Sequence, residues 1–120
     1  MFDHVGLKVK DLKDSVRLYT ATLAPLGYVL CSSGEGYVGF GPKDKPRLWL
    51  HAHEGKTGPG AHVALKAPDH AAVDAFHKHG LKAGAKDNGG PGLRANYSPK
   101  YYAAFLIDPD GNNLEAVCFK

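Results

Sequence analysis

The chain has 120 residues, enough for one domain with its own hydrophobic core, and its 43% hydrophobic and 22% charged residues are an ordinary globular balance. A formal charge of +3, carried by scattered lysines, lacks the basic stripe of a nucleic-acid binder. No apolar run approaches the ~20 residues that cross a bilayer, so neither nucleic acid nor membrane is an expected partner. Met1-Phe2-Asp3-His4 passes straight into a strand pattern without signal-peptide architecture, and Cys31 and Cys118 form no C-x-x-C pair, so free thiols in the cytoplasm are expected.

Residues 2–9 alternate, with Val5, Leu7 and Val9 on one face and His4, Gly6 and Lys8 on the other. The apolar face suits packing under a helix, which leaves the histidine on the opposite face. Asp11 is a fitting N-cap for a helix whose Leu12, Val16, Tyr19 and Leu23 recur at helical spacing and which Pro25 and Gly27 close. Three short strands follow at Tyr28–Ser32, Gly36–Phe40 and Arg47–His53, separated by turn signals. The order is β-α-β-β-β, and the Gly- and Pro-bearing residues 54–60 read as a linker.

The order then repeats. His62–Ala67 is a strand, Pro68 ends it, and Asp69 caps a helix with Val73, Phe76 and Leu81 on its apolar side. Residues 84–99 are Gly-rich and unpatterned, the length of a functional or mobile loop, with room for a short strand inside. Two strands finish the chain, Tyr101–Ile107 and Asn113–Phe119, joined by the turn Asp108-Pro109-Asp110-Gly111. The repetition is also literal: His4–Asp11 and His62–Asp69 share His, Val, Leu, Lys and Asp in register. One domain of residues 1–120 is expected, with module one at about 1–53 and module two at about 61–120.

Both copies keep the opening histidine, and the last strand carries Glu115 among apolar residues, where a charge is costly unless paired or metal-bound. Two imidazoles and a carboxylate suit a divalent transition metal with open positions for substrate; hydrogen-bonded structural histidines are the competing reading. His51 and His53 are each candidates for a fourth ligand, and His51 and Tyr102 for the general base. His70, His77 and His79 read as solvent-facing. The Gly89–Arg94 loop can hold a phosphate or carboxylate through its amides with Arg94 as a fork, or be a plain connector. Tyr97 and Tyr101 can wall a substrate or simply fill the core.

Three motifs carry a resemblance: His-Val-Gly-Leu-Lys-Val-x-Asp-Leu near the start, Gly-Ala-His-Val-Ala-Leu in mid-chain, and Phe-Leu-Ile-Asp-Pro-Asp-Gly-Asn-Asn-Leu-Glu near the end. Over nearly the whole chain the sequence resembles the vicinal oxygen chelate superfamily of glyoxalases, extradiol dioxygenases and bleomycin- and fosfomycin-resistance proteins. The resemblance implies an α+β fold of two tandem β-α-β-β-β modules whose half-sheets form a cup around a metal. It puts His4, His62 and Glu115 on the ligand positions of a divalent ion (Fe, Mn, Zn, Ni or Co), and it implies a homodimer.

Where glyoxalase I enzymes carry a fourth ligand, this chain has Trp49, whose indole cannot ligate a metal and becomes a substrate wall with Arg94, Tyr97 and Tyr101. Three ligands instead resemble the dioxygenase triad or the site of the fosfomycin-modifying thiol transferases. The expected function is a metal-dependent lyase, isomerase or ring-cleaving dioxygenase acting on a small oxygen-rich substrate. The alternatives are a fosfomycin-type thiol transferase and a metal-free protein of the bleomycin-sequestering kind.

Overall fold

The computed structural model describes residues 1–120. Strand β1 (Val5–Val9) leads into helix α1 (Leu12–Leu23), whose N-cap is Asp11, its carboxylate accepting from the amide of Asp14. A 3-10 turn at Ala24–Leu26 closes the helix on Gly27, which takes a left-handed φ of 90°. Strands β2 (Val29–Gly34), β3 (Tyr37–Gly41) and β4 (Leu48–Ala52) complete a four-stranded sheet in the order β1-β4-β3-β2. The crossover returns β4 parallel to β1, pairing Gly6 with Trp49 and Lys8 with His51.

The second unit repeats this plan with β5 (His62–Lys66), α2 (His70–Lys82), and β8 (Tyr102–Ile107) and β9 (Asn113–Cys118) as its main strands. The glycine-rich stretch contributes two short pieces, β6 (Lys86–Asp87) and β7 (Gly92–Leu93), both paired to β8. The sheet order is β5-β9-β8-β6, with β5 parallel to β9. Both sheets are open rather than closed. No helix is long and apolar enough to cross a membrane.

Strand alternation sorts the side chains as the sequence implies. Val9, Leu50, Leu106, Leu114 and Ala116 point to the helices and are essentially inaccessible to solvent. Their sheet neighbours Gly6, Trp49, Ala64, Phe105 and Glu115 take the opposite face. The helices meet the core differently from the expected apolar stripes. On α1 the buried residues are Ser15, Leu18, Tyr19, Thr22 and Leu23, while Leu12 and Val16 only flank the core. On α2 it is Gly80 that lies buried, and Leu81 remains largely exposed. A Cβ on Gly80 would sit 2.3 Å from Leu106 Cδ1 and 3.0 Å from Thr22 Cγ2, so the glycine is what lets α2 approach α1 and the sheet.

The Asp108-Pro109-Asp110-Gly111 turn ties the two units together. Asp108 is buried and accepts the Tyr19 hydroxyl of α1 at 2.6 Å, along with the amides of Asp110 and Asn112. Asp110 accepts the Lys10 amide at 2.9 Å and the Thr57 hydroxyl at 2.6 Å. Asn112 accepts the Ala61 amide ahead of β5. A motif whose sequence signals only a turn therefore also serves as a clasp.

Candidate functional site

Glu115 is the most unusual residue on the face turned away from the helices. It sits mid-strand on β9, between Ala64 of β5 and Phe105 of β8, and is only 1% exposed. A carboxylate so deeply buried needs partners. His62 supplies one, its Nε2 lying 2.7 Å from Glu115 Oε1, and the Tyr101 hydroxyl donates to Oε2. Loss of solvent, and then the hydrogen bond to Glu115, push the Tyr101 phenol up to about 12, so it holds its proton near neutral pH. The His62 ring stays half exposed beside Phe105, with centroids 6.4 Å apart.

The first unit carries a separate cluster. An open depression of about 640 Å³ is lined by Asp3, His4, Gly6, Tyr37, Pro46, Trp49 and His51. His4 stands one residue ahead of β1 with Nδ1 2.7 Å from the Asp3 carboxylate. That hydrogen bond, reinforced by the charge of Arg47, lowers the Asp3 pKa. Trp49 packs on Tyr37 with centroids 6.0 Å apart, and His51 lies 6.3 Å from the same ring. Gly39 makes room for the indole: a Cβ there would be 2.8 Å from Trp49 Cζ3 and 2.9 Å from Pro46 Cβ. His53 follows β4 and does not line the depression.

The three residues matched to ligand positions are thus divided. His62 and Glu115 meet, whereas His4 lies with His51 on the other unit. Within one chain, no three His, Cys, Asp or Glu side chains come together as a metal-holding group. The donor types suit a divalent ion, but a single chain assembles only one nitrogen and one oxygen of the three-ligand set.

Several expectations need correction. Tyr102 does not share the face of Glu115. Its hydroxyl donates to Asp74 of α2 at 2.6 Å, and its ring stacks on His70 at 3.7 Å, because strand alternation sends it to the helix side. The phenolic group beside the carboxylate is Tyr101. In the Gly89–Arg94 loop the carbonyls of Gly90 and Gly92 accept from Arg94 Nη2 and Nη1, so two donors of the expected fork are turned back onto its own loop.

Nor are all the α2 histidines free in solvent. His70 accompanies Tyr102, and the His77 side chain is only 12% exposed, its Nε2 2.9 Å from Asp87. The amide of Gly89, and then His77, lower the Asp87 pKa. Tyr97 is exposed and meets the Tyr101 ring edge-on at 5.0 Å. Sequence reasoning missed the Tyr37–Pro46 walls of the depression; their period-two relation to Gly39 and their turn position were the available signals.

No family profile matches the sequence, and no curated protein does. Solved structures do. A glyoxalase/bleomycin resistance protein from Albidiferax ferrireducens T118 is 29% identical, with 98% of this chain and 97% of that one aligned at a TM-score of 0.84. This is the glyoxalase/bleomycin resistance/dioxygenase fold. A family enzyme of that glyoxalase-type fold from Burkholderia phytofirmans PsJN is 18% identical over 98% of both chains, with a TM-score of 0.76. The V278E mutant of glyoxalase I from Zea mays is 26% identical over 95% of this chain and 44% of its own, with a TM-score of 0.68. The glyoxalase-type likeness agrees with the vicinal oxygen chelate superfamily that the sequence motifs resemble.

Proposed function

We propose that the protein is a metal-dependent enzyme acting on a small oxygen-rich substrate, and that its site is completed only when two copies join. The observation that carries this reading is Glu115, a carboxylate 1% exposed in the middle of a strand, aimed with His62 at the face away from the helices. Neither the core nor the helices use it. In the dimer, His62 and Glu115 of one copy and His4 of the other would hold a divalent ion. Such an ion would supply Lewis-acid polarisation of vicinal substrate oxygens.

The chain's own residues do the remaining work. Tyr101 fixes the Glu115 carboxylate, and Trp49, Tyr37 and Pro46 cover the apolar part of the substrate. His51, exposed in the same depression, serves as the proton acceptor. Lyase, isomerase and ring-cleaving chemistries all begin from this arrangement.

Metal analysis of protein purified without chelators tests the reading, together with His4→Ala, Glu115→Ala and a co-expressed mixture of the two. Each variant alone should lose metal. In a mixed dimer one site regains both His4 and Glu115, so the mixture should recover bound metal. Equal metal in all samples sinks the enzyme reading. Recovery absent from the mixture, with sedimentation confirming mixed dimers, sinks the shared site.

A second reading, a metal-free binding protein, is favoured by one observation: both Glu115 oxygens are already engaged, by His62 and Tyr101. Metal-free protein that binds small aromatic molecules in the Trp49 depression with undiminished affinity would favour it.

A further inference from the structure

Arg94 is held in an unusual way for a cation with no counter-charge. Its Nη1 donates to the Gly92 carbonyl at 2.9 Å and its Nη2 to the Gly90 carbonyl at 2.7 Å. The guanidinium carbon lies 5.4 Å from the centroid of the Phe105 ring. Glycines make the fit possible: a Cβ on Gly89 would stand 3.0 Å from Phe105 Cδ1 and 3.2 Å from Arg94 Nη2, and one on Gly92 3.3 Å from Nη1. The ends of the loop are tied to strands, with the Arg94 amide donating to the Tyr101 carbonyl and the Phe105 amide to the Gly89 carbonyl.

The ion pairs of the chain are His4–Asp3, Arg17–Asp14, His62–Glu115 and His77–Asp87, so no carboxylate answers Arg94. A guanidinium has five N–H donors; two are spent on carbonyls, which leaves three. Phe105 faces the same way as Glu115, its partner across the β8–β9 ladder, and His62 lies against the same ring. The Phe105 ring is thus shared by the Arg94 guanidinium and the His62 of the His62–Glu115 pair. Immobilising an arginine costs side-chain entropy, and here the loop and the ring have already supplied that order, which is the condition for a tight anion contact.

We propose that Arg94 is the anchor for a carboxylate carried by the substrate, so that the protein acts on small, ring-bearing or otherwise compact monocarboxylates. This rests on the reading of the Glu115 face as the ligand-binding surface. One guanidinium balances one negative charge, which fits a carboxylate better than a doubly charged phosphate. The contact is bidentate or single according to which of the three donors the carboxylate meets.

The experiment uses the intact protein stripped of metal with a chelator, so that it does not depend on the metal reading. Benzoate and its uncharged counterpart benzamide are titrated while the Arg94 side-chain N–H resonance is followed by NMR. Wild-type protein should bind benzoate about tenfold more tightly, as a charge-assisted hydrogen bond implies, and only benzoate should shift the Arg94 resonance. Arg94→Gln should bring the two affinities together. Arg94→Lys, which keeps the charge without the fork, should retain part of the preference.

Equal binding of the two probes, no binding of either, or a benzoate preference surviving in folded Arg94→Gln overturns the proposal. Wild-type resonance data decide it even when a variant does not fold. Metal content that fails while benzoate still selects Arg94 rejects the metal reading and keeps this one.

Discussion

Tyr101 and Tyr102 are adjacent in sequence and give their hydroxyls to opposite faces of one sheet, Tyr101 to Glu115 and Tyr102 to Asp74 of α2. The alternation of a single strand thus separates a residue of the site from a residue of the scaffold. Exchanging their roles would require a one-residue slip of β8, which would also turn Ala104 and Leu106 out of the core.

Replacing Tyr101 by Phe leaves a buried carboxylate short of one donor. A stability loss of about 1–3 kcal/mol is expected in urea denaturation. In a metal titration the same variant should bind about 10- to 100-fold more weakly, as removal of a partner that orients a ligand does. Tyr102→Phe should cost about 0.5–1.5 kcal/mol and leave metal binding unchanged. Equal metal losses in the two variants would contradict the division between the faces.

Gly39→Ala tests the shelf under Trp49. The added methyl meets both the indole and Pro46 inside van der Waals contact, so the ring must move. Overpacking of this kind costs about 1–3 kcal/mol. Trp49 is the only tryptophan, so its fluorescence reports the displacement directly. An unchanged emission spectrum in the folded variant would mean that the depression does not depend on the glycine.

Alkali should destabilise the protein through its tyrosines. Burial, and then the nearby Asp108 charge, raise the Tyr19 pKa far above its ordinary value, and Tyr101 and Tyr102 are each pushed up to about 12. An unfolded tyrosine ionises near 10. Above that pH the unfolded chain releases protons that the folded one retains, so stability is complete below about pH 10 and falls as pH rises further. Tyrosinate absorbance followed alongside circular dichroism checks this: the Tyr19 share should appear only with unfolding. Tyr19→Phe removes a donor from buried Asp108 and should cost about 1–3 kcal/mol at neutral pH.

Asp110→Ala cuts the clasp at the Lys10 amide and the Thr57 hydroxyl together. A loss of about 1–3 kcal/mol is expected, since both bonds end on a charged acceptor. Hydrogen exchange should quicken at Lys10 and around Thr57 while the centres of α1 and α2 stay protected. Uniform acceleration throughout the chain would show instead that the clasp governs global stability.

The sequence by itself determined the repeated β-α-β-β-β order, the caps at Asp11 and Asp69, and which residues of β1 face the helices. These follow from local periodicity and capping chemistry, which need no knowledge of distant neighbours. It also singled out Glu115, because a carboxylate amid apolar strand positions is anomalous wherever the strand lies. Only the tertiary structure decided that His62 and Tyr101 answer Glu115 while His4 and His51 stand apart. It alone showed that Gly80, rather than Leu81, sets the helix approach, and that Arg94 is clipped by its own loop. Those outcomes depend on sheet register and on how closely two backbones approach, quantities that couple residues far apart in the chain and leave no mark on local pattern.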